Sequence, residues 1–82
     1  MAAVLLRNLA PQSTEESVLH TLQGVSELPI RSVRIGRDPQ TGASRGVCYI
    51  ELNSVVDAMH LNNYLTHKTP LIDGRIGKQS TK

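Results

Sequence analysis

Hydrophobic and polar positions alternate with a period of two along Val4-Leu5-Leu6-Arg7-Asn8-Leu9 and again along Arg45-Gly46-Val47-Cys48-Tyr49-Ile50-Glu51-Leu52, the pattern of half-buried strands. Val33 and Ile35, interleaved with Ser32, Arg34 and Gly36, predict another strand with one apolar face. Ala10-Pro11 should end the first strand, because proline brings no donor to the ladder. The period then lengthens. Ser13-Thr14-Glu15-Glu16 places a hydroxyl three residues before a glutamate, the capping-box spacing, and Val18, Leu19 and Leu22 follow as a helical stripe that Gly24 stops. A second helix should begin at Asn53 or Ser54, carry Asp57 in its first turn, turn Val55, Ala58, Leu61 and Leu65 to the sheet, and end near Thr66 to Lys68. Beyond Pro70, Leu71-Ile72 and Arg75-Ile76 flank Asp73-Gly74, a hairpin signal that predicts a short final strand. The stretch 37–44 is dense in turn formers and should project as a mobile loop.

The order β, α, β, β, α, β is two βαβ units with right-handed crossovers. It predicts an α+β, ferredoxin-like βαββαβ sandwich: a four-stranded antiparallel sheet with two helices on one face and the other face open to water. Such an architecture hosts many functions and specifies none.

Eighty-two residues suffice for one domain, which excludes a multidomain enzyme. Residues 1–82 read as a single domain with its core from about 4 to 78, cut from a longer multidomain protein. No apolar run approaches the roughly 20 residues that cross a bilayer, and no signal peptide is evident. A single cysteine, Cys48, forms no internal disulfide and no metal site, and it reads as core packing. His20, His60 and His67 lie in different elements without ligand spacing. A net charge of +2 permits nucleic-acid binding without demanding it, but seven of the nine cations, at positions 7, 31, 34, 37, 45, 75 and 78, fall in or beside predicted strands.

Val4, Leu6, Asn8 and Leu9, followed by Arg45, Gly46, Tyr49 and Ile50, resemble the paired signature strands of the RNA recognition motif family. Thr14-Glu15-Glu16, the turn from Asp38 to Gly42, Ala58 and Asp73-Gly74-Arg75 support the resemblance in the same order. Leu6-Arg7-Asn8-Leu9, Pro11, Gln40-Thr41-Gly42, Arg45-Gly46 and Ser54 with Asp57-Ala58 look like the second such domain of the RNA-binding-motif splicing regulators that also carry G-patch domains. The resemblance implies a non-catalytic, cofactor-free domain, monomeric in isolation and clear of membranes. It also implies single-stranded RNA as partner, a nuclear location and a part in pre-mRNA splicing.

With Tyr49 placed on the open face, as in that family, strand alternation sends Arg45, Val47 and Glu51 there and Cys48, Ile50 and Leu52 to the core. The first strand adds Leu5 and Arg7, the second Arg34, and the last Arg75 or Lys78. The candidate RNA-binding residues are thus Leu5, Arg7, Arg34, Arg45, Val47, Tyr49 and Lys78. Tyr49 would stack a base and Arg45 would meet a phosphate, with Arg31 and Arg37 left as solvated charges. Three positions that hold stacking rings in the family are here Leu5, Val47 and Tyr49. Stacking is worth about 1–3 kcal/mol per base, so two missing rings remove roughly 2–6 kcal/mol. The expected binding is therefore weak, on the order of micromolar or poorer. That loss favours a competing reading, a degenerate domain turned to splicing-factor proteins, although no Arg-x-Phe element of the kind that grips a tryptophan ligand in such relatives follows Asp73. An acylphosphatase-like enzyme would need a phosphate-cradling loop where Ala10-Pro11-Gln12 stands.

Overall fold

The computed structural model describes residues 2–25 and 27–79. Along the chain these form β1 (Ala3–Arg7), α1 (Glu15–Val25), β2 (Ile30–Arg37), β3 (Ser44–Leu52), α2 (Val55–His67), β4 (Leu71–Ile72), β5 (Arg75–Ile76) and β6 (Lys78–Gln79). The main sheet is antiparallel in the order β2-β3-β1-β6, and β4 pairs with β5 as a separate two-stranded ribbon.

The expected four-stranded sheet is thus three full strands with a two-residue edge, and two more strands occur than the pattern predicted. Asp73 and Gly74, at φ of +50° and +85°, turn β4 directly back on β5, so the hairpin satisfies its own ladder. Only after Gly77 does the chain reach β1, where Leu6 and Arg7 take Gln79 and Lys78 as partners. Gly77 passes so close to Leu6 that a Cβ would lie 3.1 Å from its side chain, which makes glycine the residue that fits this crossing.

Alternation fills one face of the sheet with Val4, Leu6, Ile35, Cys48, Ile50 and Leu52. Val18 and Leu22 of α1, Ala58, Leu61 and Leu65 of α2, and Ile72 of the hairpin pack on it as one core, so both helices share that face. Among the described residues, no helix covers the opposite face.

Several local expectations shift by a residue or two. Asn8, not Pro11, ends β1: it adopts φ +69°, and its side-chain amide donates to the Ile76 carbonyl at 2.8 Å. The α1 cap is Thr14, with Ser17 in the role predicted for Glu16. Ser17 N–H donates to Thr14 Oγ1 at 3.1 Å, and Thr14 N–H donates to Ser17 Oγ at 2.9 Å. Ser13 is thereby released from capping; it is buried and donates to Asp73 Oδ2 at 2.7 Å, and Ser17 Oγ lies 2.8 Å from the same oxygen. Ser54 caps α2 by accepting from Asp57 N–H at 3.1 Å. Val55, expected against the sheet, is instead 63% exposed, because it precedes the first inward-facing turn, and Met59 one turn later is 64% exposed. The loop after β2 is closed on itself: Asp38 N–H donates to Ala43 O at 2.8 Å, and Asp38 Oδ1 accepts from Gln40 N–H.

Candidate functional site

The open face is organised in rows by the ladder registers. Tyr49 of β3 stands opposite Leu5 on β1 and opposite Arg34 on β2, which makes an Arg34–Tyr49–Leu5 row across the sheet. Tyr49 is 50% exposed, Arg34 is exposed and Leu5 is half-buried. One step along, Val47 faces Arg7, whose other neighbour is the backbone of Lys78. On the far side of the tyrosine, Glu51 stands between Ala3 and Ser32, and Ser32 Oγ donates to Glu51 Oε1 at 3.0 Å.

Gly36 keeps the tyrosine end of this face open, since a Cβ there would lie 2.9 Å from Val47 Cγ2. A shallow depression results, lined by Arg34, Ile35, Gly36 and Tyr49. A flat ring beside a shallow hollow, with the Arg34 guanidinium at its border, can stack a planar heterocycle and meet an anionic backbone.

Six of the seven residues expected on this face can be placed. Leu5, Arg7, Arg34, Val47 and Tyr49 share it. Arg45 is exposed, but the ladder does not carry it there: between the Ile35–Cys48 and Arg37–Ser44 pairs, β3 has three residues against one of β2. Gly46 absorbs the excess at φ +77°, so simple alternation stops at Val47. Lys78 is placed by its backbone beside Arg7, and its side chain lies outside the described residues. Arg75, the other candidate of the last strand, leaves the face, because it belongs to the hairpin and its Nη1 donates to Leu9 O at 3.3 Å. Arg37 is solvent-exposed as expected, and it also pairs with Glu15 at 3.4 Å on the helix side of the sheet.

Leu9 is a point of convergence. Its N–H donates to the Gly46 carbonyl at 2.9 Å while its carbonyl takes the Arg75 guanidinium, so the end of β1, the β3 bulge and the hairpin are joined at one residue. Asn8, Ser13, Ser17 and Asp73 complete that support. Sequence reasoning missed it, although Asn8 before Leu9 carries the one local hint, since asparagine tolerates a left-handed backbone. Ser32 was equally missed as the partner of Glu51.

Two carboxyls are held in their charged form by their partners. Hydrogen bonds from Ser13 and then Ser17 keep the Asp73 carboxyl below its ordinary range. Glu15 is also lowered, first by a bond to its own backbone, then by Ile35 N–H and Arg37. Burial, reinforced by the charge of Glu15, pushes the Cys48 thiol up to about 12, which leaves it an inert packing group. Among the described residues no cluster of histidine, cysteine, aspartate and glutamate could hold a metal ion, and no helix is long and apolar enough to cross a membrane.

The RNA recognition motif family matches residues 4–69. RNA-binding protein 5-B of Xenopus laevis is 34% identical over 76 residues, which are 90% of this chain and 10% of that protein. The chain therefore spans about a tenth of the length of that relative. Among solved structures, the second RNA recognition motif of yeast poly(U)-binding protein superposes with a TM-score of 0.75 at 20% identity, over 98% of this chain and 94% of that one. The Sex-lethal protein in its complex with RNA gives 0.74 at 22% identity, over 99% and 46%. Domains of this kind bind RNA and are not enzymes.

Proposed function

Because this chain belongs to the RNA recognition motif family, we propose that it is an RNA-binding module that holds short single-stranded RNA, from pre-mRNA, on its open sheet. In isolation it binds weakly, and it acts as one domain of a nuclear splicing regulator. The observation that carries this reading is the Arg34–Tyr49–Leu5 row, in which a half-exposed ring lies between a cation and an aliphatic side chain. Tyr49 stacks one base. Leu5 and Val47 give apolar contact without a π face, while Arg34, Arg7, Arg45 and Lys78 meet phosphates.

An amide chemical-shift titration with short single-stranded RNA pools tests it. Saturable shifts centred on Leu5, Arg7, Arg34, Val47 and Tyr49 are the expected result. Tyr49→Ala should weaken binding by about 1–3 kcal/mol, roughly 5- to 150-fold, and leave the fold intact. Unchanged affinity in this variant would remove the stacking role.

A second reading, a domain that contacts splicing proteins, is favoured by the exposed Val55, Val56 and Met59 on α2 together with the two aliphatic residues in place of rings. Capture of a splicing factor by the isolated domain, resistant to ribonuclease and abolished by Met59→Asp but not by Tyr49→Ala, would select it.

A further inference from the structure

The charges on the open face are not evenly spread. Arginines stand in the tyrosine row and the row beyond it, whereas the row on the other side of Tyr49 is Ala3–Glu51–Ser32 and carries a carboxylate between two small side chains. The paired arginines of the first two rows attract a phosphate backbone and the Glu51 carboxylate disfavours one in the third, where the neighbouring cation, Arg31, stands outside the pairing at the irregularity before Ser32. RNA held by the arginines would therefore turn its base edges, not its phosphates, toward Glu51.

Glu51 lies two residues from Tyr49 along the same face of one strand, roughly 7 Å away at 3.3–3.4 Å per residue. That is within reach of the edge of a base stacked on the ring. Ala3 and Ser32 leave space on both sides, and Ser32 donates to Oε1, which steadies the carboxylate without exhausting its lone pairs.

Resting on the RNA-binding reading above, we propose that Glu51 selects the base stacked beside it and that the base selected is guanine. A carboxylate only accepts hydrogen bonds. Guanine offers it two adjacent donors, N1–H and the N2 amino group, on its Watson–Crick edge. Adenine and cytosine each present an amino donor next to a ring acceptor, and uracil presents one N–H between two carbonyls. Those three therefore place an acceptor against the carboxylate, and guanine does not. A bidentate pair of this kind discriminates by about tenfold. Ser32 restrains the carboxylate by donating to Oε1.

The test is a set of hexamer RNAs identical except for one central guanosine, inosine, adenosine, cytidine or uridine, titrated into the wild-type domain and into Glu51→Ala. The amide spectrum of each protein serves as the check of folding. Wild type should prefer guanosine about tenfold over adenosine, cytidine and uridine. Inosine, which lacks the amino donor, should fall between. In Glu51→Ala the preference should collapse to near one while the other hexamers bind as well or better, since a repelling charge is gone. Saturable binding at the sheet with no preference for guanosine in wild type, or a preference that survives in Glu51→Ala, would overturn the assignment and leave RNA binding standing. Failure of every hexamer to shift the sheet amides would overturn both.

Discussion

Two serine hydroxyls from the start of α1 converge on one oxygen of Asp73, and their bonds hold that carboxyl below the ordinary aspartate value of 3.8. A carboxyl whose folded pKa is depressed adds stability that is fully present above its unfolded value and is lost as pH falls through the folded one. Asp73→Ala should therefore lower the melting temperature at neutral pH, and the gap to wild type should narrow as pH drops below 3.8. Thermal melts of both proteins across the acid range decide this; a gap that stays constant would mean that the charge on Asp73 contributes nothing. Residues of this kind were hard to read from sequence, because Ser13 and Asp73 are sixty positions apart and both suit local turn and cap roles. Tyr49, Leu5, Arg7 and Arg34 were legible for the opposite reason. A period of two sorts side chains between faces without any knowledge of what the strand packs against.

The elements themselves were largely legible, and their irregular joints were not. α2 follows its Ser54 cap and its Ala58–Leu61–Leu65 stripe, yet the same periodicity could not say that Val55 precedes the contact. In β3 the bulge at Gly46 interrupts an alternation that looks unbroken in the sequence, and it takes Arg45 out of the count. Since Gly46 sits at φ +77° and a Cβ there would find only ordinary contact, 3.5 Å from Leu9 O, the cost of a side chain is conformational rather than steric. Gly46→Ala should destabilise the domain by about 1–2 kcal/mol, measured as a lower denaturation midpoint at unchanged m-value. A neutral substitution would mean that the bulge relaxes freely. The Asp73-Gly74 hairpin was visible from its turn residues, but its separation from the sheet depends on the close passage of Gly77 over Leu6, which no local pattern announces.

At the scale of the whole molecule, net charge says less than its placement. With Arg7, Arg34, Arg45 and Lys78 each neutralising one phosphate, the logarithm of affinity for single-stranded RNA should fall against the logarithm of salt concentration with a slope of about −3. Titrations at several ionic strengths measure it, and a slope near zero would show that the arginines do not contact the backbone. On the proposed reading, one such unit binds weakly and with strong salt dependence, and linking it to further domains would raise its effective concentration. The hairpin finally fixes what counts as that unit. The family match stops at residue 69, but Ile72 is sealed within the core, Asp73 holds the start of α1, and Arg75 fastens the end of β1. A transplant into another protein that ended at residue 69 would carry every open-face side chain of the three long strands and still arrive with an open hydrophobic seam and an untethered helix. The smallest portable piece of this domain runs past the hairpin, set by what closes the core and not by what touches the ligand.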